Sequence, residues 1–419
     1  MRIVILTMGT RGDVQPYVAL GAGFQRAGHH VRVAAPEPYE AFVTAYGLDF
    51  APLAGDPVQL VRGLVDEAGF NPLRSVQVMT KYVLSIAVEV MQNAWKACQD
   101  ADAILSSFLM INAGHEVARL RSVPDFSAQL FPVFTPTQAF PSPAFPSLPW
   151  GSVYNRLTHA VFAQVFWQGG RLAYRMIRRR LPDMPAHLHW PFAASDRGPT
   201  PTLYGFSPLV IPPPSDWGSA IHVTGYWFLD AGSEWQPPAA LVDFLESGPP
   251  PVYVGFGSMV TRDADRLTRI VVEALAQSDQ RAVLLGGWSD LGGDHLPDRV
   301  FKIEAAPHDW LFPRMAAVVH HGGAGTTGAA LRAGVPQVVV PFTADQPFWG
   351  ERVRALHVGP PPINRKRLTA DRLADCIRFA VADPAVRSGA LALGERIHAE
   401  DGVGNAVRVV EQAAAAFPA

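Results

Sequence analysis

VVHHGGAGTTGAALRAGVPQVVVPFTADQPFWGERV, residues 318–353, is the stretch on which the fold turns. It opens on a short apolar run, breaks into Gly322-Gly323-Ala324-Gly325-Thr326-Thr327, and resumes at once with helical spacing. A second apolar run, 337–341, leads into Phe342-Thr343-Ala344-Asp345-Gln346-Pro347. Strand, small-residue turn, helix and strand make the repeating unit of a parallel sheet, whose strands are buried under helices on both faces. Small residues at such a turn let backbone N–H groups approach an anion, and the helix start adds partial positive charge. Thr326 and Thr327 can donate to phosphate oxygens or cap the helix, and His320 and His321 beside them favour the phosphate reading. Asp345 and Gln346 can cap a loop. Beside a phosphate turn, a carboxylate next to a carboxamide also suits adjacent sugar hydroxyls.

The same stretch carries a competing pattern. Gly323, Gly325 and Gly328 satisfy G-x-G-x-x-G, and Asp345 follows about 20 residues on, the outline of a dinucleotide site and of an NAD-dependent oxidoreductase. Against it, the turn lies deep in the second half of the chain rather than in a first βα unit. The nucleotide triphosphate pattern fails outright, because no lysine precedes the threonines.

Working outward, further strands are expected at 252–256, 282–286, 300–304 and 316–320, with helices between them and a helical end over 369–416. The first half alternates in the same way. Strands are expected at 2–8, 30–35, 103–106 and 125–130, and helices at 14–27, 111–121 and 153–180, the first stopped by Gly28. Residues 229–251, with DAGSEWQPP and SGPPP, read as a linker. The expected organisation is an N-terminal domain over 1–228, the linker 229–251, a C-terminal domain over 252–395, and a last helical segment, 396–419, packing back on the first domain. The fold class is therefore α/β: two doubly wound domains facing across a cleft, with ligands at the carboxyl ends of the strands. FPVFTPTQAFPSPAFPSLPW, ending at Trp150, breaks the alternation, since prolines at that density exclude helix and interior strand. Its aromatics need burial, which a disordered linker would not provide.

Composition narrows the function. Of 419 residues 48% are hydrophobic and 17% charged, with a formal net charge of -2, so no global field attracts nucleic acid. Arg178-Arg179-Arg180 read as a helix end whose positive charge suits the dipole and solvent. Cys98 and Cys376 are far apart and lack metal-ligand spacing, which suits a reducing cytosol. The first apolar run is too short for a signal peptide, and no run reaches the roughly 18 apolar residues of a membrane span. A cytoplasmic protein with at most peripheral membrane contact is expected. Asp100-Ala101-Asp102 and Asp263-Ala264-Asp265 have the spacing of a metal-binding carboxylate pair, yet read as caps at element ends.

Taken together, GTRGDVQPYVALG, PVFTPTQAFPSP, GFGSM, and APHDWLFPRMAAVVHHGGAGTT through ADQPFWG resemble the family 1 glycosyltransferases of the GT-B fold. Within that family they are similar to the bacterial and fungal sterol 3β-glucosyltransferase branch, related to the enzymes that glycosylate glycopeptide antibiotics. The resemblance implies that His321 contacts the donor diphosphate, with Gly323, Gly325 and Thr326 as its cradle. Asp345 and Gln346 would hold the sugar and Ser258 would stand near the phosphates. Plant relatives stack the base on a tryptophan where this chain has Ala305 or Ala306, leaving Trp288 as the candidate here. Many relatives read Gly-His-x-x-Pro at the first turn; here Gly12-Asp13-Val14-Gln15-Pro16 puts Asp13 at the place of the catalytic base, although an aspartate there also serves as a cap. Phe131, Phe134, Phe140, Met79, Tyr82 and Trp167 would wall an apolar acceptor pocket, or simply pack the domain. The implied activity is inverting transfer of a hexose, glucose from UDP-glucose, onto a hydroxyl of a sterol, polyketide or polyphenol, with no cofactor or metal. A silent nucleotide-sugar or lipid-binding protein of the same fold is the further alternative.

Overall fold

The computed structural model describes residues 1–56, 63, 72–192, 199–230, 235–257, 264–286 and 296–417. The chain divides into two compact units. Unit 1 holds Met1–Leu60, Val76–Leu229 and Asp401–Ala419; unit 2 holds Val61–Ser75 and Asp230–Glu400.

Unit 1 is built on a seven-stranded parallel sheet: β1 (Arg2–Leu6), β2 (His30–Pro36), β3 (Asp49–Leu53), β4 (Ala103–Ser106), β5 (Asp125–Gln129), β6 (Thr202–Tyr204) and β7 (Ile221–Val223). The spatial order is β3-β2-β1-β4-β5-β6-β7. Every residue of β1 after Arg2 is buried, as a strand covered on both faces requires. Its longer helices include α1 (Arg11–Arg26), α2 (Pro72–Ala97, in unit 1 from Val76 on), α3 (Ile111–Arg121) and α4 (Gly151–Arg180). On one face Val4, Leu6 and Ile104 pack with Met91 and Ala94 of α2, Val117 of α3, and Tyr174 and Ile177 of α4. The Tyr17 hydroxyl of α1 donates to the Ala128 carbonyl of β5 at 2.7 Å.

The C-terminal helix, Gly402–Ala415, also belongs to unit 1 and lies against α1. A Cβ on Gly23 would stand 2.1 Å from Cγ1 of Val403, so only glycine lets the two helices approach this closely. His29 Nε2 meets Glu411 Oε1 at 2.9 Å, and Asn405 Nδ2 donates to the Thr224 carbonyl at 2.8 Å.

Unit 2 has a five-stranded parallel sheet: β8 (Val252–Gly255), β9 (Ala282–Leu285), β10 (Val300–Ile303), β11 (Ala317–His320) and β12 (Gln337–Val339), in the order β10-β9-β8-β11-β12. Its helices include α5 (Ala239–Glu246), α6 (Ala264–Gln277), α7 (Ala324–Arg332), α8 (Gln346–Ala355), α9 (Ala370–Ala382) and α10 (Pro384–His398). Val254, Leu284, Val319 and Val338 pack under Val271 and Leu275 of α6 and Leu373 and Ile377 of α9. Tyr253, Val283 and Val318 face Leu241 of α5, Phe312 and Ala330 of α7.

Several elements differ from the sequence expectation. α2, α5, β3, β6 and β7 carried no assignment; β6 and β7 are three residues each at one side of the sheet, too short to show a period. α5 lies inside the expected linker 229–251, and its Leu241 is wholly buried in the core of unit 2. The last helical segment divides at Asp401 rather than 396, because α10 runs to His398. Among the described residues no helix is long and apolar enough to cross a membrane.

In each unit the chain order reverses once beside the first strand: between β1 and β4 in unit 1, and between β8 and β11 in unit 2. The crevice beyond the carboxyl ends of these strand pairs is where ligands bind in doubly wound sheets. The turns after β1 and β11 hold Asp13 and His321.

Candidate functional site

The unit 2 site is built on the turn between β11 and α7. His320 ends β11 and is wholly buried. Its Nδ1 accepts from Gly322 N at 3.1 Å, so its proton sits on Nε2, which donates to Gln337 Oε1 at 2.9 Å. Burial, with His321 adjacent, pushes it down to about 3 and keeps it neutral. The sequence suggested two histidines at the ligand; the structure uses His320 to shape the turn and leaves His321 for the site.

His321 is half-buried and sits between two glycines. A Cβ on Gly323 would lie 2.5 Å from its Nε2, and one on Gly257 (φ 61°) would lie 2.9 Å from its Cε1. Any side chain at either position would displace the ring. His321 Nδ1 has no hydrogen-bond partner among the described residues. Burial lowers its pKa to about 4, so the free protein presents a neutral imidazole. Beside it α7 starts at Ala324, with Gly323 as the preceding cap residue and Thr327 N the first to bond back, to the Gly323 carbonyl at 2.9 Å. The N–H groups of Ala324, Gly325 and Thr326 therefore lack helical acceptors. Gly325 is exposed, and nothing lies within 4 Å of the place its Cβ would take. Thr326 is half-buried; the Thr327 hydroxyl is buried and unpartnered among the described residues.

Asp345 and Gln346 follow β12, beside β11. Gln346 is buried, and its Oε1 accepts from Phe342 N at 2.7 Å and Thr343 N at 3.0 Å. Asp345 is the residue just before α8; its side chain makes no capping bond and instead accepts from Nε1 of the wholly buried Trp349 at 2.7 Å. Between them and Thr343, Ala344 has φ 55°, an unusual conformation for alanine that over-determined surroundings must hold. Both expected sugar ligands thus also build their own loop.

In unit 1, Asp13 occupies the third position of α1, with Thr10 as the residue before the helix. Thr10 N and Thr10 Oγ1 both donate to Asp13 Oδ2, at 2.8 and 3.1 Å. Asp13 Oδ1 takes no hydrogen bond from any described residue. The Thr7 hydroxyl holds the Asp13 carbonyl at 2.7 Å. Burial raises the carboxyl pKa, against the lowering effect of the Thr10 bonds. The capping and catalytic readings of Asp13 are therefore compatible: one oxygen serves the helix and the other is uncommitted.

The six expected acceptor residues do not form one wall. Phe131 and Phe134 join Phe108, Phe162, Phe166 and Phe192, with Phe134 at the centre, 4.9 Å from Phe166 and 5.0 Å from Phe192. Phe108 follows β4 at its carboxyl end, beside the order reversal. Tyr82 lies close to Gly55 and Met8, just beyond β3 and β1, and Met79 is half-buried one turn before it on α2. Phe140 packs on Trp217 and His159, away from the phenylalanine cluster, whereas Trp167 packs on Trp190, which in turn meets Phe192 at the cluster's edge. Phe108, Phe162, Phe166 and Phe192 escaped the sequence reading. Only the four-residue spacing of Phe162 and Phe166 on a helix hinted at a shared face.

Ser258, Trp288 and Asp263 lie outside the described residues. Asp100 and Asp102 sit at the amino end of β4, the opposite edge from the switch-point turns. Asp100 bonds Arg2 and Arg32 at 2.7 Å each, and Asp102 accepts from Arg2 N at 2.6 Å. Among the described residues no group of three His, Cys, Asp or Glu could hold a metal ion.

Comparison with known proteins now defines the class. Residues 3–133 match the glycosyltransferase family 28 N-terminal domain, and residues 269–411 match the erythromycin biosynthesis protein CIII-like, C-terminal domain. The sterol 3-beta-glucosyltransferase of Cryptococcus neoformans var. neoformans serotype D is 39% identical over 435 residues, covering 98% of this chain and 27% of that protein. The chain thus spans little more than a quarter of this relative's length. Among solved structures, the glycotransferase of kitacinnamycin superposes with TM-score 0.72 at 22% identity, covering 100% of this chain and 99% of the other. The glycosyltransferase VinC in complex with DTDP does so with TM-score 0.65 at 20% identity, covering 99% and 100%. The chain therefore has the GT-B fold of these structures, and its N-terminal segment matches a glycosyltransferase domain family.

Proposed function

We propose that this chain transfers a hexose, glucose, from a nucleoside diphosphate sugar to a hydroxyl of a lipophilic acceptor of the sterol, polyketide or polyphenol kind, with inversion at the anomeric carbon. The observation that carries the reading is Asp13: a half-buried carboxylate at the switch point of unit 1, with Oδ2 fixed by two Thr10 donors and Oδ1 uncommitted. The acceptor oxygen forms its bond to the anomeric carbon as its proton passes to Asp13 Oδ1. The bond from that carbon to the diphosphate breaks, its electron pair leaving with the nucleoside diphosphate. The charge that develops there meets the unpaired N–H groups of Ala324, Gly325 and Thr326 and an N–H of His321. Fixed donors aimed at developing charge are an effective form of catalysis, and here they take the part a divalent cation plays elsewhere, so the reading includes no metal or cofactor. Asp345, at the end of the neighbouring strand, is the sugar-facing carboxylate; Gln346 supports its loop.

The name of the Cryptococcus relative favours a sterol and glucose; UDP-glucose is the donor this proposal adopts. The dTDP bound by VinC keeps a thymidine donor in view. A cytoplasmic location goes with this reading, since nucleoside diphosphate sugars and a reduced thiol pair belong together there. The test is a panel of UDP- and dTDP-sugars against a sterol, a polyphenol and a macrolide, read by mass spectrometry for wild type and Asp13→Asn. Hexosylated product from wild type alone supports the proposal. Equal turnover by both overturns the assignment of the base, and no product from any pair favours a silent binding protein.

A further inference from the structure

α4 is amphipathic in an unusual way. Its inner side carries Phe162 and Phe166 into the phenylalanine cluster and Tyr174 and Ile177 into the core of unit 1. Its outer side is also largely apolar. Val153, Leu157, Val161, Val165, Leu172 and Met176 follow one another at four- and seven-residue spacing, and all are exposed: Val153 by 79%, Leu157 by 58%, Val165 by 48%. Trp150, 68% exposed, stands at the head of the helix. Seven of the thirteen exposed large apolar side chains among the described residues lie on this one element and its leading residue. Scattered apolar side chains on a surface need no explanation, but a continuous row does.

The charges on the helix point to what covers it. Its 30 residues include six arginines (Arg156, Arg171, Arg175, Arg178, Arg179 and Arg180) and no acidic residue, in a chain whose formal net charge is -2. Arg156, Arg171 and Arg175 each immediately precede a residue of the apolar row, so a basic row runs beside it on the same exposed face. Apolar side chains whose only charged companions on the helix are arginines, with a tryptophan at one end, suit the boundary between anionic headgroups and acyl chains. The helix is too polar to span a bilayer, but at about 1.5 Å per residue it can lie along one for some 45 Å.

We propose that the outer face of α4 docks unit 1 onto an anionic lipid surface, the apolar row inserting at the headgroup boundary and the arginines holding the lipid phosphates. This goes beyond the proposed sugar transfer and does not depend on it. It gives the arginine run at 178–180 a part that capping of a helix dipole does not supply. It also lays the helix that carries Phe162 and Phe166 along the phase in which a lipophilic acceptor would be dissolved.

The test is co-sedimentation of the full chain with vesicles of phosphatidylcholine alone or of equimolar phosphatidylcholine and phosphatidylglycerol. Wild type should sediment with the mixed vesicles and only weakly with the neutral ones, and added salt should weaken the former. Arg171→Ala/Arg175→Ala/Arg179→Ala should lose on the order of a hundredfold in affinity for the mixed vesicles, at about tenfold or less per arginine. Leu157→Gln/Val161→Gln/Val165→Gln should lose binding while keeping the circular dichroism and melting temperature of wild type, because these side chains touch no core. Wild type that ignores mixed vesicles, or triple variants that bind them as wild type does, would overturn the proposal. So would a lipid-free dimer abolished by the same apolar changes, which would make the occupant a second copy of the chain. Sugar transfer to a water-soluble phenol should be equal in wild type and both variants, so loss of vesicle binding and failure of the glycosyltransferase reading are distinguishable.

Discussion

The two switch-point sites solve opposite problems with the same sheet topology. In unit 2 the site is made of backbone: three N–H groups at the start of α7, glycines either side of His321, and a neutral imidazole. In unit 1 it is made of side chains: a single carboxylate at the start of α1, and phenylalanines drawn from β4's end, the proline-rich loop, α4 and residue 192. The lesson is one of chemistry. A diphosphate presents the same oxygens whatever sugar follows, so a fixed backbone cradle recognises it. An apolar acceptor offers shape and a hydroxyl, which only side chains from several segments can surround.

This contrast can be broken at Asp13. Asp13→Asn keeps the size of the side chain and an oxygen for Thr10, but removes the proton acceptor. Turnover should fall by ~10²–10⁴-fold with the melting temperature little changed; a fall in stability without a matching fall in turnover would leave Asp13 only its capping role. Next in size, His321→Ala should lower kcat/KM for the donor by ~10²-fold, as expected for one donor on developing charge. It should leave acceptor KM unmoved, and an equal effect on both substrates would refute the division of labour.

A smaller effect separates His320, the structural histidine, from its neighbour. Its folded pKa, about 3, lies below the ordinary 6.5, so between these values the unfolded chain binds the extra proton. The stability it contributes is fully present above pH 6.5 and is lost as the pH falls toward 3, at about 1.4 kcal/mol per pH unit. Urea titrations across that window should show this slope, flattened in His320→Gln. Smallest is Phe131→Ala: half-buried at the edge of the cluster, it should raise acceptor KM by about tenfold while donor KM stays within experimental scatter. A purely structural phenylalanine would instead lower the melting temperature and leave both constants alone.

Legibility followed the same division. The run 318–353 announced its strand, turn and helix, since small residues and an abrupt change of period are local features of a sequence. β4 and α3 fall where the pattern put them, at Ala103–Ser106 and Ile111–Arg121. β6 and β7 were invisible, because strands of three residues take their conformation from the neighbours they pair with. α5 hid among prolines until Leu241 was seen to fill the core of unit 2.

The sequence by itself determined the parallel α/β class, the small-residue turn ahead of a helix and the presence of a carboxylate at the first helix start, all consequences of contacts between near neighbours in the chain. Only the tertiary structure decided which histidine holds the turn and which faces the site, since that depends on Gln337 and Gly257. It also decided that Asp13 keeps one oxygen uncommitted, that Phe140 stands apart from Phe131 and Phe134 while Trp167 reaches them through Trp190 and Phe192, and that the outer row of α4 is left uncovered. Each of these turns on side chains brought together from distant parts of the chain, and no local pattern records such meetings.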